Sequence, residues 1–167
     1  MAKAPDRGVS LAKGPVGIVG MVLLAYGVTA LIFGGRSFTT HALDGTVNGK
    51  SWLGLEVNGW SDLLFIAGGA LLLFGAPLHR GAKSLALLVG IAFAAAAAIA
   101  WVDGDDVLGV LAANGRTTLV WAIVAAVLVV LALLPRVGGG SDDEERFRRD
   151  AAATRRDPDR PGRVSAR

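Results

Sequence analysis

Four apolar blocks divide this chain: Pro15 to Gly35, Leu63 to Pro77, Leu85 to Val102 and Thr118 to Leu134. None of them contains Lys, Arg, Glu or His. Crossing the hydrocarbon layer of a bilayer as a helix takes about 20 mostly apolar residues, within roughly 17 to 25. The first, third and fourth blocks meet that length directly. The second reaches it only if Trp60, Ser61 and Asp62 form its first turn. Within lipid every backbone N–H and C=O must be bonded inside the protein, which leaves helices or a closed barrel. Barrel strands alternate apolar and polar residues over about ten positions, whereas these blocks are apolar on all sides. They read as helices over about 15–35, 60–77, 84–102 and 117–135.

Buried helices of a soluble domain are the competing explanation. In 167 residues, 53% of them hydrophobic, too little polar sequence is left to cover four such helices. The mean hydropathy of +0.52 agrees with that. The first block is longer than the roughly 7–15 apolar residues of a signal peptide, and no A-x-A-like site follows it, so it is expected to stay as a helix. The expected fold is an all-α membrane protein with four transmembrane helices. A cytoplasmic segment 1–14 precedes the membrane domain 15–135, and a charged, largely disordered cytoplasmic tail 136–167 follows it.

Basic residues kept on the cytoplasmic side set the orientation of such a chain. With the N-terminus inside, the inner segments hold Lys3, Arg7, Lys13, Arg80, Lys83, Arg136 and the tail. Only Arg36, Lys50 and Arg116 fall outside, so 14 of the 17 basic residues are inside. Both termini are therefore expected in the cytoplasm of a multi-pass protein of the cell membrane. Trp52, Trp60, Trp101 and Trp121 then all fall near the outer boundary, at the headgroup level that indole rings favour. The pI of about 9.8 follows from the same bias and an Arg-rich tail. Anionic inner-leaflet lipid accounts for it, and nucleic acid is not an expected partner.

An internal repeat is also legible. Leu53-Gly54-Leu55-Glu56-Val57-Asn58-Gly59 precedes the second helix, and Leu108-Gly109-Val110-Leu111-Ala112-Ala113-Asn114-Gly115 precedes the fourth. Each copy leads into an apolar helix that ends at a proline, Pro77 or Pro135, and the second copy has one extra residue. Because both copies start inside, the repeat is parallel, unlike the inverted repeats of many transporters. Short interfacial segments are expected before both helices. Val107, Leu108, Val110 and Leu111 suit one apolar stripe of a short helix capped by Gly115, and the Trp52-Leu53-Gly54-Leu55 core is helical or extended. The Asn-Gly pairs read as turns.

These twice-used Leu-Gly-x-x-x-Asn-Gly elements resemble a family of small four-span actinobacterial membrane proteins defined by a domain of unknown function. The resemblance covers about Val16 to Pro135. The family pattern places a histidine about seven residues after the Asn; here Phe65 and Trp121 stand there, so no role of that histidine carries over. The resemblance implies the four-span fold and no activity.

Helices in lipid associate through small residues. Gly20, Gly27 and Gly34 recur every seven residues on the first helix, the second offers Gly68, Gly69 and Gly75, and the third Gly90, Ala94 and Ala98. The fourth carries Ala122 and Ala126. Packing within the chain is the first use expected for these faces, and a homo-oligomer or a membrane-protein partner the second.

Chemistry is sparse. Asp62, at the outer end of the second helix, is the one candidate for an ionisable residue held in the membrane, either a helix cap or an ion or proton site. His41 and His79 read as loop residues on opposite sides. Asp103, Asp105 and Asp106 are weak metal-ligand candidates without the ligand order of an EF-hand, and a solvated turn explains them. Without cysteine, no thiolate site or disulfide can form. No catalytic residues and no cofactor are expected. In the tail, Gly138-Gly139-Gly140 breaks the chain, and Ser141 with Glu144 forms a capping box for a transient helix. The expected function is a non-enzymatic accessory or structural subunit. A small channel or transporter component using Asp62 is the alternative.

Overall fold

The computed structural model describes residues 9–10, 12–34, 36–42, 47–104, 106–134 and 136–137. In chain order its elements are β1 (Val9–Ser10), α1 (Lys13–Phe33), β2 (Lys50–Trp52), β3 (Leu55–Val57) and α2 (Gly59–Gly75). Then come α3 (His79–Asp103), β4 (Asp106–Val107), β5 (Leu111–Ala112), α4 (Gly115–Leu133) and β6 (Arg136–Val137). Leu11–Leu134 is one compact unit, and the flanking segments belong to a second, in which β1 pairs antiparallel with β6. The tail expectations, including the Ser141–Glu144 box, lie outside the described residues, as does Asp105.

Three helices, α1, α3 and α4, are long and apolar enough to cross a membrane. At 1.5 Å per residue, the 17 residues of α2 reach about 25 Å, short of the roughly 30 Å of a hydrocarbon core. The third helix starts at His79, earlier than the basic residues suggest. Pro77 cannot continue α2, Leu78 has an extended backbone, and the Ala82 N–H bonds the Leu78 carbonyl at 2.7 Å. Arg80 and Lys83 are good helix formers, so nothing delays the new helix. His79 is thus the first residue of α3 and not a loop residue.

Glycine brings α1 and α2 into backbone contact. A methyl group at Gly69 would sit 2.5 Å from the Leu24 nitrogen, and one at Gly27 would sit 2.8 Å from the Ile66 nitrogen. A methyl at Gly20 would meet Leu72 Cβ at 2.9 Å. As the α1 number rises the facing α2 number falls, so the pair is antiparallel. The sevenfold glycine stripe is therefore used within the chain. Gly68 lies under Phe93 and Val89 and Gly75 against Leu85 and Gly81, so α2 and α3 are antiparallel. Gly90 lies against Leu128 while Trp101 and Thr118 line one groove, so α3 and α4 are antiparallel as well. Phe65, Leu72, Phe93, Trp121 and Leu128 fill the core, with ring centroids 4.9 Å apart for Tyr26–Phe65 and 5.5 Å for Phe65–Phe93. Trp121 is fully buried, so it belongs to the core and not to a headgroup belt. Its place on the inward face of α4, one turn after the buried Thr117, decides this.

The segments before α2 and α4 are β-hairpins. In the first, Lys50 pairs with Val57 and Trp52 with Leu55 around the turn Leu53-Gly54. In the second, Asp106 pairs with Ala112 and Val107 with Leu111 around Leu108-Gly109-Val110. No interfacial helix forms over Val107 to Leu111, and Gly115 opens α4 instead of capping a preceding helix. Backbone geometry gives the reason. Leu53 and Gly54 have φ of 49° and 84°, and Leu108 and Gly109 have 53° and 67°. Positive φ at both central positions is what the two-residue turn at Leu53-Gly54 demands, and the left-handed pair at Leu108-Gly109 likewise ends any helix there. Asn58 and Asn114 are not turn residues: their φ values of −133° and −124° are extended.

Two substitutions test the glycine contact. Gly69→Ala should destabilise the protein by about 1–3 kcal/mol by forcing α1 from α2. Gly14→Ala, with open space around it, should leave stability unchanged or raise it by about 0.4–1 kcal/mol. Unfolding in mixed micelles, followed by circular dichroism, measures both.

Candidate functional site

Buried polar residues gather where the hairpins meet the first turns of α2 and α4. They are Asn58, Ser61, Asp62, Asp106, Thr117 and Thr118. The first turn of a helix carries N–H groups with no partner inside the helix, and here side chains supply partners. Asn58 Oδ1 accepts from the Ser61 N–H at 2.9 Å, while Ser61 Oγ accepts from the Asn58 N–H at 2.8 Å. Asn114 Oδ1 accepts from the Thr117 N–H at 2.9 Å. The spacing Asn-Gly-x-Ser/Thr carried this signal in the sequence, as a variant of the capping box.

The same amides also reach across the molecule. Asn58 Nδ2 donates to the Val110 carbonyl in the turn of the second hairpin at 2.7 Å. Asn114 Nδ2 donates to the Gly54 carbonyl in the turn of the first at 3.5 Å. Each asparagine caps its own helix and holds the other half's hairpin. Thr117 adds a further cross-link, since the Glu56 N–H donates to its Oγ1 at 2.9 Å. Sequence reading found the motifs but missed this exchange, because no local pattern encodes a bond spanning more than fifty residues.

Asp62 lies among these groups and takes no part in their bonds. It is fully buried, and neither carboxyl oxygen has a hydrogen-bond partner. The donors of its helix end are used elsewhere: Gly59 N–H on the Ser37 carbonyl, Ser61 N–H on Asn58 Oδ1, and Asp62 N–H on the Asn58 carbonyl. Capping thus falls to Asn58. The Tyr26 hydroxyl donates to the Trp52 carbonyl at 3.2 Å and not to Asp62. The indole N–H groups of Trp52 and Trp121 are also buried without partners.

The other sequence candidates do not converge. Asp103 is exposed at the end of α3. Asp106 is buried and its Oδ2 accepts from the Val47 N–H at 3.1 Å, pinning a distant segment. Among the described residues no three of His, Cys, Asp and Glu form a group that could hold a metal ion. His41 is exposed, and its backbone N–H bonds the Gly109 carbonyl at 2.9 Å. His79 is at the opposite end of the bundle.

No protein-family model, curated protein or solved structure matches the chain. The resemblance drawn from the Leu-Gly-x-x-x-Asn-Gly elements rests on those residues alone.

The double role of Asn58 can be separated. Asn58→Ala removes the cap acceptor and strands the Val110 carbonyl, for an expected loss of about 2–4 kcal/mol. Asn58→Ser keeps a neutral cap acceptor and loses the amide that bonds Val110, so its cost should be smaller. A second variant as stable as the natural protein in micelle unfolding would show that the cross-brace adds nothing.

Proposed function

We propose that this chain is a four-span protein of the cell membrane, one helix–hairpin–helix unit used twice in parallel, serving as a non-enzymatic accessory or structural subunit. Antiparallel packing supports four crossings. With three residues linking α2 to α3, an α2 that runs antiparallel to both α1 and α3 supports a return of the chain across the layer. The repeat is supported by turns with paired positive φ at Leu53-Gly54 and Leu108-Gly109. It is also supported by asparagine caps with ψ of 175° and 173°. The distribution of basic residues supports cytoplasmic termini.

The observation that carries the subunit reading is an open apolar groove of about 630 Å³ between α3 and α4, lined by Ala94, Ala98, Ala122 and Ala126 among others. Gly20 and Gly27 of α1 and Gly69 of α2 are filled by the facing helix, whereas these alanines are exposed. In lipid, small residues are where another helix comes close. The groove fits a transmembrane helix of a partner protein. Co-purification at native expression level tests this. A stable membrane partner is expected, lost when Ala98→Leu and Ala122→Leu fill the groove; a strictly monomeric protein without partners sinks the reading.

A small channel or transporter component is the second reading, favoured by the two unpartnered oxygens of Asp62. Ion or proton flux through proteoliposomes, abolished by Asp62→Asn, is its expected signature. Equal flux in the variant, or none in the natural protein, removes it.

A further inference from the structure

We propose that Asp62 is a proton-exchange site inside the bundle, taking up and releasing one proton from the water at the hairpin end. The inference deepens the transport reading above and rests on it for its physiological use, though the site is testable without it.

Three observations carry it. First, the carboxyl group is fully buried and neither oxygen has a partner. A bare carboxylate stripped of water costs several kcal/mol unless a counter-charge or hydrogen bonds offset it. Second, the fold has no structural use for an acid there. Asn58 and Ser61 complete the cap, and at the matching position of α4 the chain places Thr118, whose N–H bonds the Asn114 carbonyl as that of Asp62 bonds Asn58. A neutral side chain therefore serves the same local geometry. Third, nothing described supplies a cation. Of the elements packed against α2, α1 carries Tyr26, whose hydroxyl is taken by the Trp52 carbonyl, and keeps Lys13 at its far end. On α3, His79, Arg80 and Lys83 lie in the first two turns, at the far end from Asp62, and Asp103 is the last residue. In β3, Glu56 accepts from the Gly49 N–H, and β5 carries no titratable residue.

A proton is the smallest species that answers such a group. A metal ion would need several further oxygen ligands, and the described residues offer no cluster of them. Asp62 sits four residues after the Asn58 cap, so about one turn, roughly 5 Å, separates it from the hairpin end. That short path lets exchange occur without a channel through the whole bundle.

Infrared difference spectroscopy on the purified full chain in lipid, with isotope-labelled aspartate, tests the site. One protonated-carboxyl band carrying the aspartate label is expected, lost completely as pH rises through a single transition and absent in Asp62→Asn. Should that variant not fold, Asp62→Glu should move the band to labelled glutamate. A band that persists at every pH marks a fixed structural acid and overturns the proposal. So does the absence of the band at every pH, or a band that keeps its aspartate label in Asp62→Glu. A titrating band without flux keeps the site and ends the transport reading, while flux without a titrating band does the reverse.

Discussion

The hydrogen bonds of Asn58 and Asn114 organise the hairpin end of this molecule. A helix that starts in or near lipid has backbone N–H groups that water cannot reach, and each unmet donor costs free energy. One asparagine per half meets part of that need with its carbonyl oxygen. Its amide nitrogen is then free to hold a turn carbonyl in the other half. A single side chain thereby couples helix start to hairpin position. The turns stay where those amides reach them, and Leu53 and Leu108 occupy left-handed backbone conformations that bulky residues rarely adopt.

Below that layer the packing is of two kinds. Between α1 and α2 the backbones touch, because Gly20, Gly27 and Gly69 have no side chains to hold them apart. Close approach maximises dispersion contacts, the main attraction left to helices that lipid solvates as well as protein does. Between α3 and α4 the small residues are alanines, and several face outward around the groove. The two pairs are thus finished to different degrees. This difference in surface is what makes a partner helix at α3–α4 a physical reading.

Asp62 stands apart from both layers. Asn58, Ser61, Asp106 and Thr117 each make a side-chain bond that explains their burial, from Asp106 on Val47 to Thr117 on Glu56. Buried groups left unmatched are rare and costly. The indole N–H groups of Trp52 and Trp121 share that state, but an indole carries no charge and its burial costs far less.

Sequence by itself determined the helical class, because apolar blocks of spanning length and a lack of charge depend only on the order of residues. It located the helices to within a few residues, the glycine stripe of α1, and the two Leu-Gly…Asn-Gly elements. The meaning of those elements was a tertiary matter. Asn-Gly suits a turn locally, yet the chain turns at Leu-Gly and uses the asparagines as caps, since their amides find carbonyls more than fifty residues away. Val107 to Leu111 suits a helix stripe, yet left-handed Leu108 and Gly109 turn the chain back into a hairpin. Trp121 reads as an interfacial ring, and only the packing of α4 against the core buries it. The acid at Asp62 was visible from the start. That it has no partner was decided in three dimensions, because burial and hydrogen bonding are properties of neighbours that the sequence does not place side by side.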